Sequence, residues 1–226
     1  MFSAFKRLNK FELCLWIFSL VSVIVSFLIP ENKDFLTLIA SLIGVTALIF
    51  VAKGEALGQV LCIVFAIFYG IISFFFKYYG ELITYVGMSA PMALVSLISW
   101  VKHPYKGTHE VEVSRVSKKS VSIMLILCAI VTFAFYFILD FFNTNNIIFS
   151  TISITTSFLA VYLTYLRSPY YALGYMANDI VLIVLWVLAS IESPSYIPMI
   201  ICFIVFFIND LYGFINWRKM QKRQAQ

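Results

Sequence analysis

The chain has 226 residues, 62% of them apolar and 18% aromatic, with only 12% charged. A soluble domain carries about 25% charged residues and close to half apolar ones, and a body of this size has too little interior to hide such a surplus. Together with a mean hydropathy of +0.95, this excludes a soluble globular protein and requires lipid as the solvent of most side chains.

A membrane span takes about 20 apolar residues. Eight runs qualify in chain order, approximately 12–29, 35–52, 57–76, 81–101, 120–140, 147–166, 170–190 and 194–215. They lack strand alternation and are too long for barrel strands, so the fold class expected is an all-α integral membrane protein of eight transmembrane helices. Turn chemistry separates the runs: PENKD at 30–34, KGE at 53–55, KYYG at 77–80, NTNN at 143–146, RSP at 167–169 and ESP at 192–194. The first run follows Lys6, Arg7 and Lys10 in the manner of a signal peptide, but it has no small-residue cleavage site and is expected to stay as a helix.

The net charge of +5 is one-sided. With the N-terminus inside, 14 of the 16 basic residues fall on one side, and only Lys33 and Lys77 on the other. By the positive-inside rule both termini are then cytoplasmic. The basic balance thus reports topology rather than nucleic-acid binding.

A repeat follows from the same charges. Residues 35–102 hold three helices with Lys53 after the first and Lys102 after the third; residues 147–217 hold three with Arg167 after the first and Arg218 and Lys219 after the third. Matching ISW at 98–100 to INW at 215–217 gives an offset of 117, and matching KG at 53–54 to RS at 167–168 gives 114. One linking helix between the triplets makes them parallel repeats. The organisation expected is an extra helix in 1–34, a first triplet in 35–102, a loop and linking helix in 103–146, a second triplet in 147–217 and a basic tail in 218–226.

Polar residues inside the spans are where function is expected. Asn178, followed by Asp179, lies 15 residues before the turn at Ser193, and Asn209, followed by Asp210, lies 16 after it. At 1.5 Å per residue the two Asn-Asp pairs share one depth near mid-membrane. Tyr175, Asn178, Asp179, Leu182 and Trp186 form one stripe on the seventh helix, and Asn209, Tyr212, Gly213 and Asn216 another on the eighth. Amides, a carboxylate and rings suit a ligand with both an aromatic ring and hydroxyl groups. The plainer alternative is that these amides join helix to helix, worth about 0.6 kcal/mol each, and Asp210 points about 100° away from Asn209.

Carried back into the first triplet, Asn209 and Asp210 fall on Met92 and Ala93 (offset 117), and Asn178 on Ile63 (offset 115). A central cavity is therefore expected to be lopsided. Its softer wall would be Tyr85, Met88, Ser89, Met92 and Ser96 on the fourth helix, with Gln59 on the third. Pro91 either kinks the fourth helix for gating or merely bends it. Lys77 and Glu81 read as a solvated outer turn. The four cysteines sit in apolar runs without C-x-x-C spacing, and His103 and His109 have no Cys ligand nearby. No metal site, cofactor or catalytic residue is expected.

FYGIISFFFKYYGELITYVG (68–87), closing at LISW (97–100), and INDLYGFINW (208–217) resemble the Pnu family of bacterial vitamin transporters, over the whole chain through the 3+1+3 order and the extra first helix. The resemblance implies facilitated diffusion of an unphosphorylated precursor, such as nicotinamide riboside, thiamine, riboflavin or a deoxynucleoside, which a cytoplasmic kinase then traps. It also implies substrate contacts at Asn178 and Asn209, with Trp186 as a ring partner. In the riboside-carrying type the fourth helix has an Asn before Y-G and an earlier Gln; here YVGMSAPMALVSLISW (85–100) has no amide, which leaves the substrate open within the family. Assembly into a homo-oligomer is left open too.

Other classes fit less well. The sugar carriers of 3+1+3 type show a Pro-Gln pair that this sequence lacks. An intramembrane aspartyl protease could use Asp179 and Asp210 as a proton-sharing pair, but both follow Asn rather than the G-x-G-D context. A retinal protein needs a mid-helix Lys, and Lys53 and Lys77 are terminal.

Overall fold

The computed structural model describes residues 2–30, 35–75, 82–144, 146–192 and 196–226. The expected turns around Lys33, Lys77–Glu81 and Ser193–Pro194 lie outside the described residues. After a single helical turn, Phe2–Phe5, eight helices follow: α1 (Lys10–Phe27), α2 (Phe35–Ala52), α3 (Ala56–Phe75), α4 (Ile83–Lys102), α5 (Lys118–Phe141), α6 (Ile147–Tyr165), α7 (Tyr171–Glu192) and α8 (Ile197–Gln224). Seven are long and apolar enough to cross a membrane, and the described apolar part of α3, Ala56–Ile71, is shorter. No strand occurs among the described residues, only two isolated bridges, Glu55 to Glu110 and Pro104 to Val111.

Local chemistry sets the ends of these helices. Asn9 caps α1 through a capping box, its side chain accepting from the Glu12 amide while Glu12 accepts from the Asn9 amide. Ser117 caps α5 by accepting from the Ser120 amide. A left-handed residue stops α2 at Gly54 (φ 74°) and α6 at Arg167 (φ 56°). In α4, residues Ile83–Ser89 are π-helical, and the Ala90 amide donates back to the Tyr85 carbonyl. Pro91 lacks an amide and its ring would clash with a carbonyl four residues back; the wider turn before it accommodates both, so the proline leaves a local π segment rather than a free kink.

Packing follows the charge pattern. The third helix of each triplet crosses to the first helix of the other, α4 onto α6 and α8 onto α2. The two unpaired helices lie outside: α1 against α2 and α8, α5 against α6. Large apolar side chains that face outward, such as Phe133, Phe141, Ile148 and Ile191, are then solvated by lipid.

Lys53, Lys102, Arg167 and the run from Arg218 to Arg223 share one end with the N-terminal segment. There Arg7 pairs with Glu55 (2.5 Å) and Lys53 with Glu12 (3.0 Å), while Arg223 pairs with Glu110 of the loop before α5. The bond to Glu55 pushes the Arg7 guanidinium further above its ordinary value.

Candidate functional site

The basic end is closed by two matching clasps. Trp100, at the end of α4, donates from its indole to the Thr164 carbonyl of α6 (3.0 Å), and Ser99 donates to the Tyr165 carbonyl (3.1 Å). At the end of α8, Trp217 donates to the Val51 carbonyl of α2 (2.9 Å) and Asn216 to the Ala52 carbonyl (2.9 Å). Ser99 and Trp100 stand 117 residues before Asn216 and Trp217, and Val51 and Ala52 stand 113 before Thr164 and Tyr165. The helix stops agree: Gly54 and Arg167 are both left-handed, and each accepts an amide from the same loop, from Val111 and Ser114 respectively. The offset between the first helices is therefore 113, not the 114 suggested by matching KG to RS. At the starts of α3 and α7 the bonds from Gly58 to Glu55 and from Tyr171 to Ser168 repeat at 113 as well, which carries Asn178 back to Phe65 rather than Ile63.

Between the clasps the two indoles meet, with ring centroids 5.3 Å apart, and Tyr171 closes on Trp217 at 5.0 Å. All three rings are at most 2% exposed. Gly213 permits this closure, because a Cβ there would lie 2.7 Å from the Tyr171 hydroxyl.

One face of α7 rises from this plug with Tyr171, Tyr175 and Asp179 one turn apart, and Asp210 of α8 turns toward it. The Asp179 and Asp210 carboxyl groups lie within hydrogen-bonding reach of each other. Asp210 is also close enough to Tyr171, Tyr175 and to Cys62 of α3 to interact with each electrostatically. Both aspartates are 3% exposed, and no described ion pair includes either. Gln59, one turn before Cys62 on α3, is buried as well.

The remaining expected site residues are spread over other contacts. The Asn178 side-chain oxygen accepts from Ser153 (2.9 Å) and Thr156 (3.0 Å) of α6. Asn209 donates to Ser19 of α1 (2.9 Å) and to the Val205 carbonyl (2.8 Å). Tyr212 donates to Glu12 of α1 (2.9 Å). Both amides thus make the helix-to-helix bonds of the plainer alternative, because their positions on the helical wheel face α6 and α1. Trp186 stacks on Tyr196 (5.4 Å) toward the opposite end. Met88 packs into a cluster with Cys128, Leu139, Ile154 and Phe158, facing α5 and α6. Tyr85 stacks with Tyr69 (4.4 Å) and lies edge-on to Phe65 (5.8 Å) of α3, and Ser89 is half-buried on the same π segment.

Of the stripe expected on α7, the structure joins Tyr175 and Asp179 to Asp210, the residue that the sequence ranks below Asn209. Tyr171 and Cys62 do not stand out in the sequence as site residues, although Tyr171, Tyr175 and Asp179 share i, i+4, i+8 spacing. Five buried side-chain polar atoms have no hydrogen-bond partner among the described residues. Four are in the spans, Ser96 Oγ, Tyr171 Oη, Asp179 Oδ2 and Asn209 Oδ1, and the fifth is Arg167 Nη1 at the basic end. Buried polar atoms are normally paired; three of these five lie on α7 and α8, which makes that region the candidate site.

Comparison with known proteins agrees on one family. The family model described as the nicotinamide mononucleotide transporter matches residues 34–219. A curated relative, the nicotinamide riboside transporter PnuC of Neisseria mucosa, is 24% identical over 217 residues, covering 93% of this chain and 82% of the relative. The crystal structure of the vitamin B3 transporter PnuC superimposes with a TM-score of 0.81 at 22% identity, over 96% of this chain and 94% of that one. The match over residues 34–219 leaves outside it only the N-terminal segment with all of α1 and the last residues of the basic tail, and the chain therefore belongs to the nicotinamide mononucleotide transporter family.

Proposed function

We propose that this protein carries an unphosphorylated vitamin precursor, nicotinamide riboside before the others, across a bacterial cytoplasmic membrane by facilitated diffusion. The family description names a mononucleotide and the curated relative a riboside. The charge of the membrane interior supports the riboside. All 16 Lys and Arg flank the apolar stretches of the spans, whereas the middle holds Asp179 and Asp210. A phosphate is recognised by Arg, Lys or a helix N-terminus, and the middle of these spans offers none of the three. A riboside brings only hydroxyls, a carboxamide and a ring.

The site proposed lies between the two triplets and is built on Tyr175, Asp179 and Asp210, with Gln59 and Tyr85 on the side of the first triplet. Ser89, Trp186, Asn178, Asn209, Tyr212 and Met88 surround it at a second remove, holding the helices that carry it. The clasped basic end is the closed side of an alternating-access cycle, and with both termini cytoplasmic it faces the cytoplasm. No coupling ion is involved; a cytoplasmic kinase traps the product, and net uptake follows the gradient that the kinase maintains.

A second reading has one observation in its favour. The contact between Asp179 and Asp210 is what a proton-sharing aspartyl hydrolase requires. Cleavage of a membrane peptide by the purified protein, abolished in Asp179→Asn, would establish it.

A thermal-shift screen in detergent separates the substrates. Nicotinamide riboside is expected to raise the melting temperature and nicotinamide mononucleotide to leave it unchanged, with thiamine, riboflavin and deoxyadenosine measured alongside. Stabilisation by the mononucleotide and not by the riboside would reverse the proposal.

A further inference from the structure

The buried site has a composition that goes beyond binding a riboside in general. Its charged groups are two carboxyls and no cation, and Asp179 Oδ2 is an acceptor without a partner. Two tyrosine rings stand beside them, with Tyr171 and Tyr175 centroids 6.1 Å apart at 77°. The face of a tyrosine ring attracts cations. The Tyr171 hydroxyl, also unpartnered, is aimed at the face of α8 that carries Asp210 and Gly213. A carboxylate in a membrane span is normally matched by a nearby cation or lines a ligand path, and among the described ion pairs none reaches Asp179 or Asp210; Lys53 and Arg7 pair with Glu12 and Glu55 at the basic end.

We infer that Asp179 and Asp210 supply the counter-charge for a substrate whose aromatic ring is permanently cationic, and so select such rings over neutral ones. Two carboxyls in contact share a proton and together present a single negative charge. An N-glycosylated pyridinium carries one fixed positive charge in the ring, and a quaternised thiazolium does the same. A flavin or an ordinary deoxynucleoside carries none. Pairing the ring with a carboxylate lowers the cost of holding its charge at the middle of the bilayer during passage, while the tyrosine faces hold the ring without fixing its hydrogen bonds. This inference rests on the transport function proposed above and deepens it, from a riboside to a riboside with a charged ring.

The test compares nicotinamide riboside with its reduced 1,4-dihydropyridine form, which keeps the sugar and the carboxamide and loses only the charge. Binding is measured by titration calorimetry and uptake in proteoliposomes, for the wild type, Asp179→Asn and Asp210→Asn. The wild type is expected to bind the cationic form at least tenfold more tightly. Each substitution should lower affinity for the cationic form by tenfold or more while changing affinity for the reduced form less than threefold; that retained binding also shows that the variant is folded. A wild type that binds both forms equally, or variants that lose both forms together, overturns the inference while leaving riboside transport standing. A wild type that binds neither form overturns the transport proposal itself.

Discussion

At the basic end α4 and α8 are interchangeable. Trp100 and Trp217 occupy the same place, make the same bond to the last turn of the opposite triplet's first helix, and meet ring to ring in the middle. In mid-membrane the two triplets part. The offset of 113 set by the starts of α3 and α7 pairs Asp179 with Ala66, and the offset of 117 pairs Asp210 with Ala93. Both alanines are buried. Two acidic residues of one triplet thus correspond to two methyl groups of the other. Closure of the bundle is shared alike by the two triplets, whereas the buried acidic groups belong to the second alone.

The comparison can be broken first at the clasps. Trp100→Ala and Trp217→Ala should each destabilise the protein by about 3–5 kcal/mol, the usual cost of removing a fully buried large aromatic side chain. The two losses in thermal unfolding should agree; one variant unfolding like the wild type would end the equivalence. Placing the missing charge in the first triplet should come next. Ala66→Asp and Ala93→Asp should cost about 3 kcal/mol each on insertion, the scale for an acid at the centre of a span, read as loss of membrane-integrated protein.

Gly213→Ala should cost about 1–3 kcal/mol of stability, because the new methyl group overlaps the Tyr171 hydroxyl. Ser96 stands 117 residues before Gly213, and Ser96→Ala, which removes an unpartnered hydroxyl, should leave stability unchanged or raise it slightly. The smallest effect is expected for Asn178→Ala, about 0.6 kcal/mol by the average of hydrogen bonds between membrane helices. An effect of several kcal/mol on riboside binding from Asn178→Ala, with stability unchanged, would move the site toward the amide.

The fold was legible because it rests on long-range composition. Apolar length, turn residues and one-sided charge marked all eight helices, with ends within about three residues except that α8 continues nine residues past the expected 215, through the basic tail to Gln224, and the π turn in α4 has its cause in Pro91. The site was legible in depth but not in direction. Asn and Asp pairs announce mid-membrane polarity, yet which member faces the partner depends on the rotation of α7 and α8. That rotation is set by contacts the sequence does not display, Ser19 and Glu12 on α1 and Ser153 and Thr156 on α6. Trp100 and Trp217 served the sequence only as alignment marks, since an indole donor has no visible acceptor until the helices are packed.

The most direct measurement is uptake of labelled nicotinamide riboside and nicotinamide mononucleotide, side by side, into proteoliposomes that contain the purified protein and no kinase. With the membrane potential held at zero by valinomycin and equal potassium on both sides, the riboside should enter saturably until its concentration is equal on both sides, and the mononucleotide should enter no faster than into empty liposomes. Entry of the mononucleotide at the rate of the riboside, or riboside entry no faster than into empty liposomes, would contradict the account.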